Sequence, residues 1–346
     1  MEFDLNNLVR ESVRELKPYS SARDEYISDG SKMVFLDANE SPYPNGINRY
    51  PDPHQRQLKT ILAKQYSLSP ANILIGNGSD EVLDLIFRAF CEPQKDNVIT
   101  MPPTYGMYKV LAGINAIENK EVLLNESFEL NVDKILEAIN SSTKAIFLCS
   151  PNNPTGNSFS VSQIETLLNN FSGLLVVDEA YIDFATQSSW LERLGQFPNL
   201  IVTRTFSKAH GMAGLRLGVC YGSAEVIAIL NRIKPPYNVN ELTQQKALQM
   251  IQNTAILEEQ VAEILRERDR VVQQLEKINF IKEIYPSDAN FILVKVDDAN
   301  RRYNEILELG VVVRNRSTQP LCDNTLRFTI GTPEENKKLL KVLNSL

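Results

Sequence analysis

The loop around Lys208 contains a lysine whose amine could act as a nucleophile. Lys208 follows Ser207 and precedes Gly211 and Gly214, shortly after the apolar run Leu200–Thr203. At the end of a buried strand an ammonium group is partly desolvated, which lowers its pKa and favours the reactive neutral amine. By itself, a Ser-Lys pair is more typical of a surface lysine in a flexible loop. The prediction of a Schiff-base lysine therefore depends on the other polar clusters of the chain.

A carboxylate and two neutral polar groups could orient an aromatic cofactor. Asp178 ends the apolar run Leu174–Val177, and a buried carboxylate there needs a partner such as a protonated pyridine nitrogen. Tyr181 and Asn153, the latter in a turn rich in proline, could both bind a ring oxygen. Each has an ordinary alternative, because Asp178 is also a good helix N-cap and residues 150–156 also fit a plain turn.

An anion site is predicted where residues 78–81 open a helix. Backbone N–H groups of Gly78, Ser79 and Asp80, the Ser79 hydroxyl and the helix dipole would bind a phosphate, and Arg216 could add a guanidinium. The same residues would also serve as an ordinary helix cap. Tyr105 lies on a turn stiffened by prolines, so it could stack on a cofactor ring or pack in the core.

These clusters lie in a pattern of apolar runs alternating with helical stretches. The runs span residues 72–75, 98–101, 145–149, 174–177, 200–203 and 217–221, with helices expected at 81–91 and 161–171. Continuous apolar runs are typical of strands covered on both faces, so we expect an α/β fold with a mostly parallel sheet. Parallel sheets carry ligand sites at the carboxyl ends of their strands, so the clusters should converge there.

The chain changes character after residue 235, which predicts a second, smaller α+β domain. A long helix is expected at 241–278, strands at 291–296, 311–314 and 327–330, a helix at 301–309 and another from 333. We therefore predict a large domain over residues 47–235 and a small one over 236–346. Residues 1–46 are expected to pack with the small domain.

Composition and cysteine spacing disfavour several classes of protein. The chain has 346 residues, 43% of them hydrophobic, and a net charge of −7, which disfavours nucleic acid or an anionic membrane as the main partner. The four cysteines are far apart and form no C-x-x-C pair, so neither a metal site nor a disulfide framework is predicted. The N-terminus has no apolar core of a secretory signal, and no run is long enough to span a bilayer. We expect a cytoplasmic protein.

Taken together, the clusters resemble the fold type I pyridoxal-phosphate-dependent aminotransferases. The resemblance is carried by Lys208 in S-K-x-x-G-x-x-G-x-R, by Asp178 with Tyr181, and by Asn153 in N-P-T-G, in that family's order and rough spacing. It runs over nearly the whole chain. Residues 36–42, 49–53 and 326–331, with the pair Arg314 and Arg327, are similar to the histidinol-phosphate aminotransferases within that family.

The resemblance implies a role for each site residue. Lys208 would carry pyridoxal 5'-phosphate as a Schiff base and move the proton, Asp178 would hold the ring nitrogen, and Tyr181 with Asn153 the ring oxygen. Tyr105 would stack on the ring. The cofactor phosphate would be bound by Gly78, Ser79, Asp80, Ser207, Arg216 and, from the neighbouring subunit of a homodimer, Tyr50. Substrate contacts would come from Arg327, Arg314, Asn39 and Tyr19.

The resemblance further implies amino-group transfer between L-histidinol phosphate and 2-oxoglutarate, in histidine biosynthesis. Alternatives of the same cofactor class are an aromatic or broad-specificity aminotransferase and a threonine-phosphate decarboxylase. A nucleotide-binding α/β protein that uses residues 76–80 is a rival of another class. That segment matches neither G-x-G-x-x-G nor a P-loop, and the rival leaves Lys208, Asp178 and Asn153 without a joint purpose.

Overall fold

The computed structural model of the chain describes residues 3–19 and 33–346, and within them the strands form two sheets. The larger sheet contains β1 (Ile73–Asn77), β2 (Asn97–Thr100), β3 (Glu118–Glu121), β4 (Thr143–Cys149), β5 (Leu174–Asp178), β6 (Leu200–Thr205) and β7 (Leu217–Tyr221). The smaller sheet contains β8 (Ile281–Ile284), β9 (Phe291–Val296), β10 (Arg314–Asn315) and β11 (Thr325–Thr329).

Helices surround both sheets. They are α1 (Leu5–Leu8), α2 (Glu11–Arg14), α3 (Arg56–Gln65), α4 (Ser79–Phe90), α5 (Met107–Ile114), α6 (Val132–Ala138), α7 (Val161–Asn170), α8 (Ala224–Ile233), α9 (Glu241–Ile251), α10 (Thr254–Leu275), α11 (Ala299–Glu308) and α12 (Pro333–Leu343). Short 3-10 turns span Pro70–Asn72, Ile182–Phe184, Trp190–Gln196 and Ala213–Leu215. None of the described helices combines the length and the apolar character that crossing a bilayer requires.

The larger sheet is mostly parallel, which confirms the predicted α/β class. Its strand order is β1-β7-β6-β5-β4-β2-β3. The β2–β3, β2–β4, β4–β5 and β5–β6 pairs are parallel, whereas β7 runs antiparallel to β1 and β6. The sequence did not predict β3, because its four polar residues at the sheet edge carry no apolar run.

Successive side chains of the buried strands enter cores on opposite sides of this sheet. In β1, Ile73 and Ile75 pack in one core, and Leu74 packs in the other. In β4, Ile146 and Phe147 divide in the same way. Since both faces are covered, consecutive positions in the middle of these strands are apolar, which explains the continuous runs in the sequence.

The strand register aligns the polar clusters along one edge. Cys149 at the end of β4 pairs with Asp178 at the end of β5, and Asp178 pairs with Thr203 of β6. The turn after β4 and the Lys208 loop after β6 therefore leave the sheet on either side of Asp178. The predicted convergence at the carboxyl ends of the parallel strands is thereby realised.

The smaller sheet is antiparallel, in the order β10-β11-β9-β8. Leu326 and Phe328 point into a core shared with α10, α11 and α12, so Arg327 lies on the opposite face. Three expectations for this half differ from the structure, and one of them is the strand predicted at 311–314, which is observed only at Arg314–Asn315. The long helix predicted at 241–278 is two helices, separated at residues 252–253, and the partly exposed strand β8 was not predicted.

Residues 3–14 of the N-terminal segment pack on the larger sheet, which differs from the expectation that the segment packs with the smaller domain. Val9 and Val13 lie in the core with residues of α4 and α8, and the Arg10 backbone N–H donates to the Ala89 carbonyl at 3.0 Å. The apolar side chains of α1 and α2 are thus buried against the larger sheet. Ala247 of α9 also joins a core of the larger sheet. The domain boundaries after residues 46 and 235 stay predictions.

Candidate active site

A cavity of about 260 Å³ lies between the carboxyl edge of the larger sheet and the smaller sheet. Most of the residues singled out in the sequence line it. Its lining comprises Ser79, Asp80, Tyr105, Cys149, Asn153, Asp178, Ala180, Tyr181, Thr205, Ser207, Lys208, Arg216, Arg314, Arg316 and Arg327. Residues from positions 79 to 327 of the chain thus meet in one place, because the strand ends and the face of the smaller sheet are opposed.

Lys208 is held on a short loop at the end of β6. The Gly211 N–H donates to the Lys208 carbonyl at 3.0 Å, and Gly211 adopts a φ of +64°, which favours glycine at this turn. The Lys208 Nζ lies 5.7 Å from the centre of the Tyr181 ring. Burial, and next the nearby Arg327, lower the Lys208 pKa from its ordinary value. A larger share of the amine is therefore neutral and able to attack a carbonyl carbon.

Asp178 is a fully buried carboxylate with one oxygen left for a ligand. Its Oδ2 accepts a hydrogen bond from the Tyr108 hydroxyl at 2.8 Å, whereas no described residue makes a hydrogen bond of good distance and angle to Oδ1. Burial raises the Asp178 pKa to about 6, although Tyr108, Thr203 and the Ala180 N–H each oppose the rise. A positively charged N–H donor in the cavity would satisfy Oδ1 and restore the charged carboxylate.

Asn153 and Tyr181 stand side by side, as the sequence suggested. The Asn153 Nδ2 donates to the Tyr181 hydroxyl at 3.4 Å, and Asn153 Oδ1 accepts a hydrogen bond from Arg327. The turn is fixed by its neighbour Asn152, whose Nδ2 donates to the Pro103 carbonyl at 2.8 Å. Burial raises the Tyr181 pKa, so the phenol stays neutral and can donate to an oxygen in the cavity.

The start of α4 and Arg216 lie together where the sequence predicts an anion site. Gly78 has a φ of +82°, a backbone conformation that favours glycine, and a Cβ there would lie 2.6 Å from Arg216 Nη2 and would displace the guanidinium. Asp80 accepts a hydrogen bond from the Tyr105 hydroxyl at 3.0 Å and lies 3.6 Å from Arg216. The Asp80 carboxylate is thus directed at these two side chains, which leaves backbone N–H groups at the helix start for an anion.

The smaller sheet contributes positive charge to the opposite side of the cavity. Arg314 of β10 pairs with Arg327 of β11, so their side chains share one face. The Arg327 guanidinium lies 4.9 Å from the centre of the Phe291 ring. Burial lowers the Arg327 pKa, while Arg314 is exposed at the cavity mouth. This pair can bind an anionic group of a substrate.

Three predicted site residues lie elsewhere in the single chain. Tyr50 and Asn39 line a different, larger recess of about 450 Å³ that contains none of the lysine, aspartate or arginine groups above. Tyr50 stacks on Tyr237 with ring centres 4.4 Å apart. Tyr19 is 75% exposed and lines neither cavity. Gly78 does not line the active-site cavity but borders it through its contact with Arg216.

Comparison with known proteins identifies the family. The family model described as aminotransferase class I and II matches residues 33–343. The chain belongs to the class I and II aminotransferases. It is a transaminase that uses pyridoxal 5'-phosphate, so the predicted enzyme class and cofactor are confirmed.

Individual relatives of this aminotransferase agree with that result. A histidinol-phosphate aminotransferase from Christiangramia forsetii is 62% identical over 345 residues, covering 100% of this chain and 99% of the relative. One from Flavobacterium johnsoniae is 59% identical over 345 residues, covering 99% of each. The crystal structure of the histidinol-phosphate aminotransferase from Clostridium acetobutylicum matches with a TM-score of 0.80 and 25% identity, covering 87% of this chain and 92% of that one.

The cavity of this aminotransferase fits its cofactor. The unsatisfied Oδ1 of Asp178 suits a protonated pyridine nitrogen, the Asn153–Tyr181 pair suits the ring oxygen, and the start of α4 with Arg216 suits the phosphate. When bound, the cofactor accepts the electron pair that remains when a proton leaves the amine-bearing carbon. Among the described residues no cluster of three or more His, Cys, Asp or Glu could hold a metal ion.

Five residues that line or support this site were not predicted from the sequence, and two of them, Ala180 and Thr205, lie beside predicted ones. Tyr108 donates to Asp178, and Cys149 and Arg316 line the cavity. Tyr108 lies three residues after Tyr105 and pointed to no ligand, since a tyrosine among apolar residues indicates only a core. Arg316 had a usable signal: it lies two residues from Arg314, so an extended segment places both on one face.

Proposed function

We propose that this aminotransferase moves an amino group between L-histidinol phosphate and 2-oxoglutarate, giving imidazole acetol phosphate and glutamate in histidine biosynthesis. The observation that carries the proposal is the cavity itself. It joins a lysine and a buried aspartate on one side to arginines on the other. The names of relatives 59% and 62% identical to this chain support the choice of substrate.

Each side of the cavity has its own task in this reaction. Lys208 carries the proton between the substrate carbon and the cofactor, since its lowered pKa lets the amine both accept and release a proton. Asp178 keeps the ring nitrogen protonated by holding a negative charge beside it. Arg314 and Arg327 bind the phosphate of histidinol phosphate or a carboxylate of glutamate.

The proposal is tested by mixing the purified protein with histidinol phosphate and following the visible absorption of the cofactor, then adding 2-oxoglutarate. We expect the spectrum to change with the first addition and to return with the second, with stoichiometric glutamate. A protein that leaves histidinol phosphate unchanged but transfers the amine of aromatic amino acids would be an aromatic aminotransferase. Release of CO₂ from threonine phosphate without an acceptor would indicate the decarboxylase.

We further infer that the enzyme is a homodimer in which Tyr50 serves the neighbouring subunit. The recess that contains Tyr50 is separate from the Lys208 cavity of the same chain. Apolar side chains are exposed around it, including Tyr50 at 50%, Ile47 at 56% and Leu242 at 60%, which favours burial against a second copy. Asn39 lies in the same recess and would be buried with it. Tyr19 stays proposed as a substrate contact on the family resemblance alone.

A complementation experiment tests the shared site. Lys208→Ala and Tyr50→Ala variants are dissociated together and allowed to form mixed dimers. If Tyr50 serves the other subunit, each mixed dimer holds one site with both defects and one with neither, and about a quarter of all sites regain wild-type behaviour. Absence of any recovery, with mixed dimers verified by mass, would show that Tyr50 serves its own subunit.

We propose a cytoplasmic location for this enzyme. The four cysteines Cys91, Cys149, Cys220 and Cys322 are all buried and unpaired, as expected in a reducing compartment. Fractionation of cells, with the protein detected by an antibody, would test this, and recovery in a secreted or membrane fraction would contradict it.

A further inference from the structure

We propose that Arg316 is a third anion-binding residue, which makes the substrate site selective for a doubly charged phosphate monoester over a singly charged carboxylate. The inference rests on the proposed function, since it concerns how that site recognises the phosphate of its amine substrate. Arg314 and Arg327 would bind either kind of anion, and Arg316 would add the contact that only the phosphate can use.

The strand register brings Arg316 to the same face as the other two arginines. Arg314 lies opposite Arg327 in the β10–β11 pair, and the Arg316 N–H donates to the Thr325 carbonyl at 2.9 Å, which continues the pairing by two residues. In an extended strand residues i and i+2 point to the same side. All three side chains accordingly line the cavity that contains Lys208.

The guanidinium groups of Arg316 and Arg327 are only partly satisfied, unlike those of buried arginines elsewhere in the chain: Arg327 donates through Nη1 to the Asn153 Oδ1 and has no carboxylate partner within residues 3–19 and 33–346. The Nε atoms of Arg316 and Arg327 are buried without a hydrogen-bond partner among the described residues. By contrast, Arg204 is paired with Asp183 and Tyr66, and Arg302 with two carboxylates. Burying a charge without a partner is costly, and such arrangements persist chiefly where a ligand supplies the partner.

No acidic side chain offsets these charges within the described part of the chain. None of the three arginines forms an ion pair there. Tyr181, which lines the same cavity and influences the Arg316 pKa, has its own pKa raised by burial, so it is an uncharged phenol. Arg316 is therefore not explained as half of a structural salt bridge.

The charges also act on one another. Burial, followed by Arg327 and Arg314, lowers the Arg316 pKa to about 10, and Arg327 contributes to lowering that of Lys208. An anion between the arginines would relieve this repulsion. A carboxylate has two oxygens, which one or two guanidinium groups can satisfy, whereas a phosphate monoester has three terminal oxygens and close to two charges. Three arginines match the second ligand better than the first.

The test uses the wild-type holoenzyme and its Arg316→Gln, Arg316→Lys and Lys295→Gln variants. Lys295 is the matched control: it is an exposed cation of the same sheet, outside the cavity. Binding of methyl phosphate and of acetate is measured by titration of the cofactor's visible absorption, which needs no turnover. The amine-transfer rate with histidinol phosphate and with histidinol is measured on the same samples.

We expect Arg316→Gln to weaken the binding of methyl phosphate about 10–100-fold, as for loss of a charged hydrogen bond. The binding of acetate should weaken no more than about threefold. Arg316→Lys keeps the charge but loses the planar fork, so it should fall between wild type and Arg316→Gln, and Lys295→Gln should match wild type. The KM for histidinol phosphate should rise with little change in kcat, and histidinol should be affected far less.

The two proposals fail in different ways. If wild type binds methyl phosphate through Arg316 but does not turn over histidinol phosphate, the proposed substrate is wrong and the anion site stands. If wild type turns over histidinol phosphate and Arg316→Gln binds methyl phosphate as tightly as wild type, the role of Arg316 is wrong. Equal weakening of phosphate and acetate would also overturn it. If Arg316→Gln fails to bind cofactor, the ratio of methyl phosphate affinity to acetate affinity is measured in Arg316→Lys instead. A ratio equal to that of wild type would overturn the role of Arg316.

Discussion

The two sides of the active-site cavity treat their charged groups in opposite ways. The catalytic floor, formed by Asn153, Asp178, Tyr181 and Lys208 at the ends of the larger sheet, is held by internal hydrogen bonds, with Asp178 Oδ1 left for the cofactor. In the arginine wall, formed by Arg314, Arg316 and Arg327 on the smaller sheet, the Nε atoms of Arg316 and Arg327 are buried without a hydrogen-bond partner among the described residues, although Arg327 Nη1 donates to Asn153. The floor is thus preorganised before substrate arrives, and the wall is completed by the anion that the substrate brings.

This difference separates chemistry from recognition. Changes in the floor should reduce turnover of every amine, because they remove the proton carrier or the charge that supports the cofactor. Changes in the wall should act on substrates according to their anionic group. The predictions below test this division, beginning with the largest expected effect.

Replacing Lys208 should abolish most activity. In Lys208→Ala we expect turnover to fall by about 10⁴-fold, since the group that carries the proton is lost, while the cofactor remains bound through the ring and phosphate contacts. Steady-state rates with histidinol phosphate and with glutamate, and the cofactor content of the purified variant, provide the measurement. Lys64→Ala, an exposed lysine of α3, is the control. If a variant of the catalytic floor kept normal turnover of one of the two amines, the separation of chemistry from recognition would be contradicted.

Removing the charge of Asp178 should also lower turnover of both amines. An amide cannot hold the ring nitrogen protonated, and loss of a buried charge pair corresponds to about 3–4 kcal/mol, or roughly 10²–10³-fold in rate. Asp178→Asn is compared with Asp133→Asn, an exposed residue of α6, in the same rate assay with cofactor occupancy verified. Near-normal turnover would mean that Asp178 is only a structural residue at the end of β5.

The same carboxylate predicts how stability depends on pH when the cofactor is removed. Burial raises the Asp178 pKa from 3.8 to about 6. Because the folded-state pKa lies above the unfolded value, the stabilising contribution of the neutral acid is present below about pH 4 and is lost as the pH rises through about 6. Apo wild type should therefore lose about 3 kcal/mol of unfolding free energy as the pH rises from about 4 to about 6. Apo Asp178→Asn has no such carboxylate, so its unfolding free energy should increase by this amount relative to apo wild type over the same range.

Denaturant unfolding of both apo proteins at several pH values measures this difference. In wild-type protein with bound cofactor, the free energy of unfolding should not fall in this way as the pH rises, because the ring nitrogen supplies the missing positive partner of Asp178. Parallel pH profiles for the two apo proteins would contradict the account of Asp178 as a carboxylate that is destabilising until the cofactor binds.

The smallest of these effects is expected in the arginine wall. Arg314→Ala should weaken the interaction with histidinol phosphate by about 1.5–3 kcal/mol, the value of a charged hydrogen bond. The interaction with histidinol should be weakened much less. The ratio of kcat/KM for the two amines measures this, with Lys282→Ala as an exposed control from β8. Equal losses for both amines would show that Arg314 does not contact the phosphate.

The sequence predicted the catalytic floor better than the rest of the molecule. Asp178 and Lys208 follow fully buried strands, and an apolar run that ends in a polar cluster is visible without knowledge of the fold. The polar edge strand β3 and the partly exposed β8 have no such run, since their stability comes from pairing with neighbours. The break between α9 and α10 was missed because the residues on both sides are rich in helix formers and little besides Asn253, the N-cap of α10, marks it.

The arginine wall was predicted only in part, for a related reason. Its geometry depends on the cross-strand register that places Arg314 opposite Arg327, and register is a tertiary property. Once the register is known, Arg316 follows from strand alternation. The packing of Val13 on the larger sheet is likewise decided by which apolar surface lies within reach, and the sequence of α2 does not specify it.

Reduction with borohydride followed by peptide mapping tests the central claim most directly, because it identifies the lysine that is covalently joined to the cofactor. The account predicts that the pyridoxyl label lies on Lys208 alone, on the peptide that follows β6, and that Lys208→Ala protein carries none. A label on any other lysine would place the chemistry outside the cavity between the two sheets and would contradict the account.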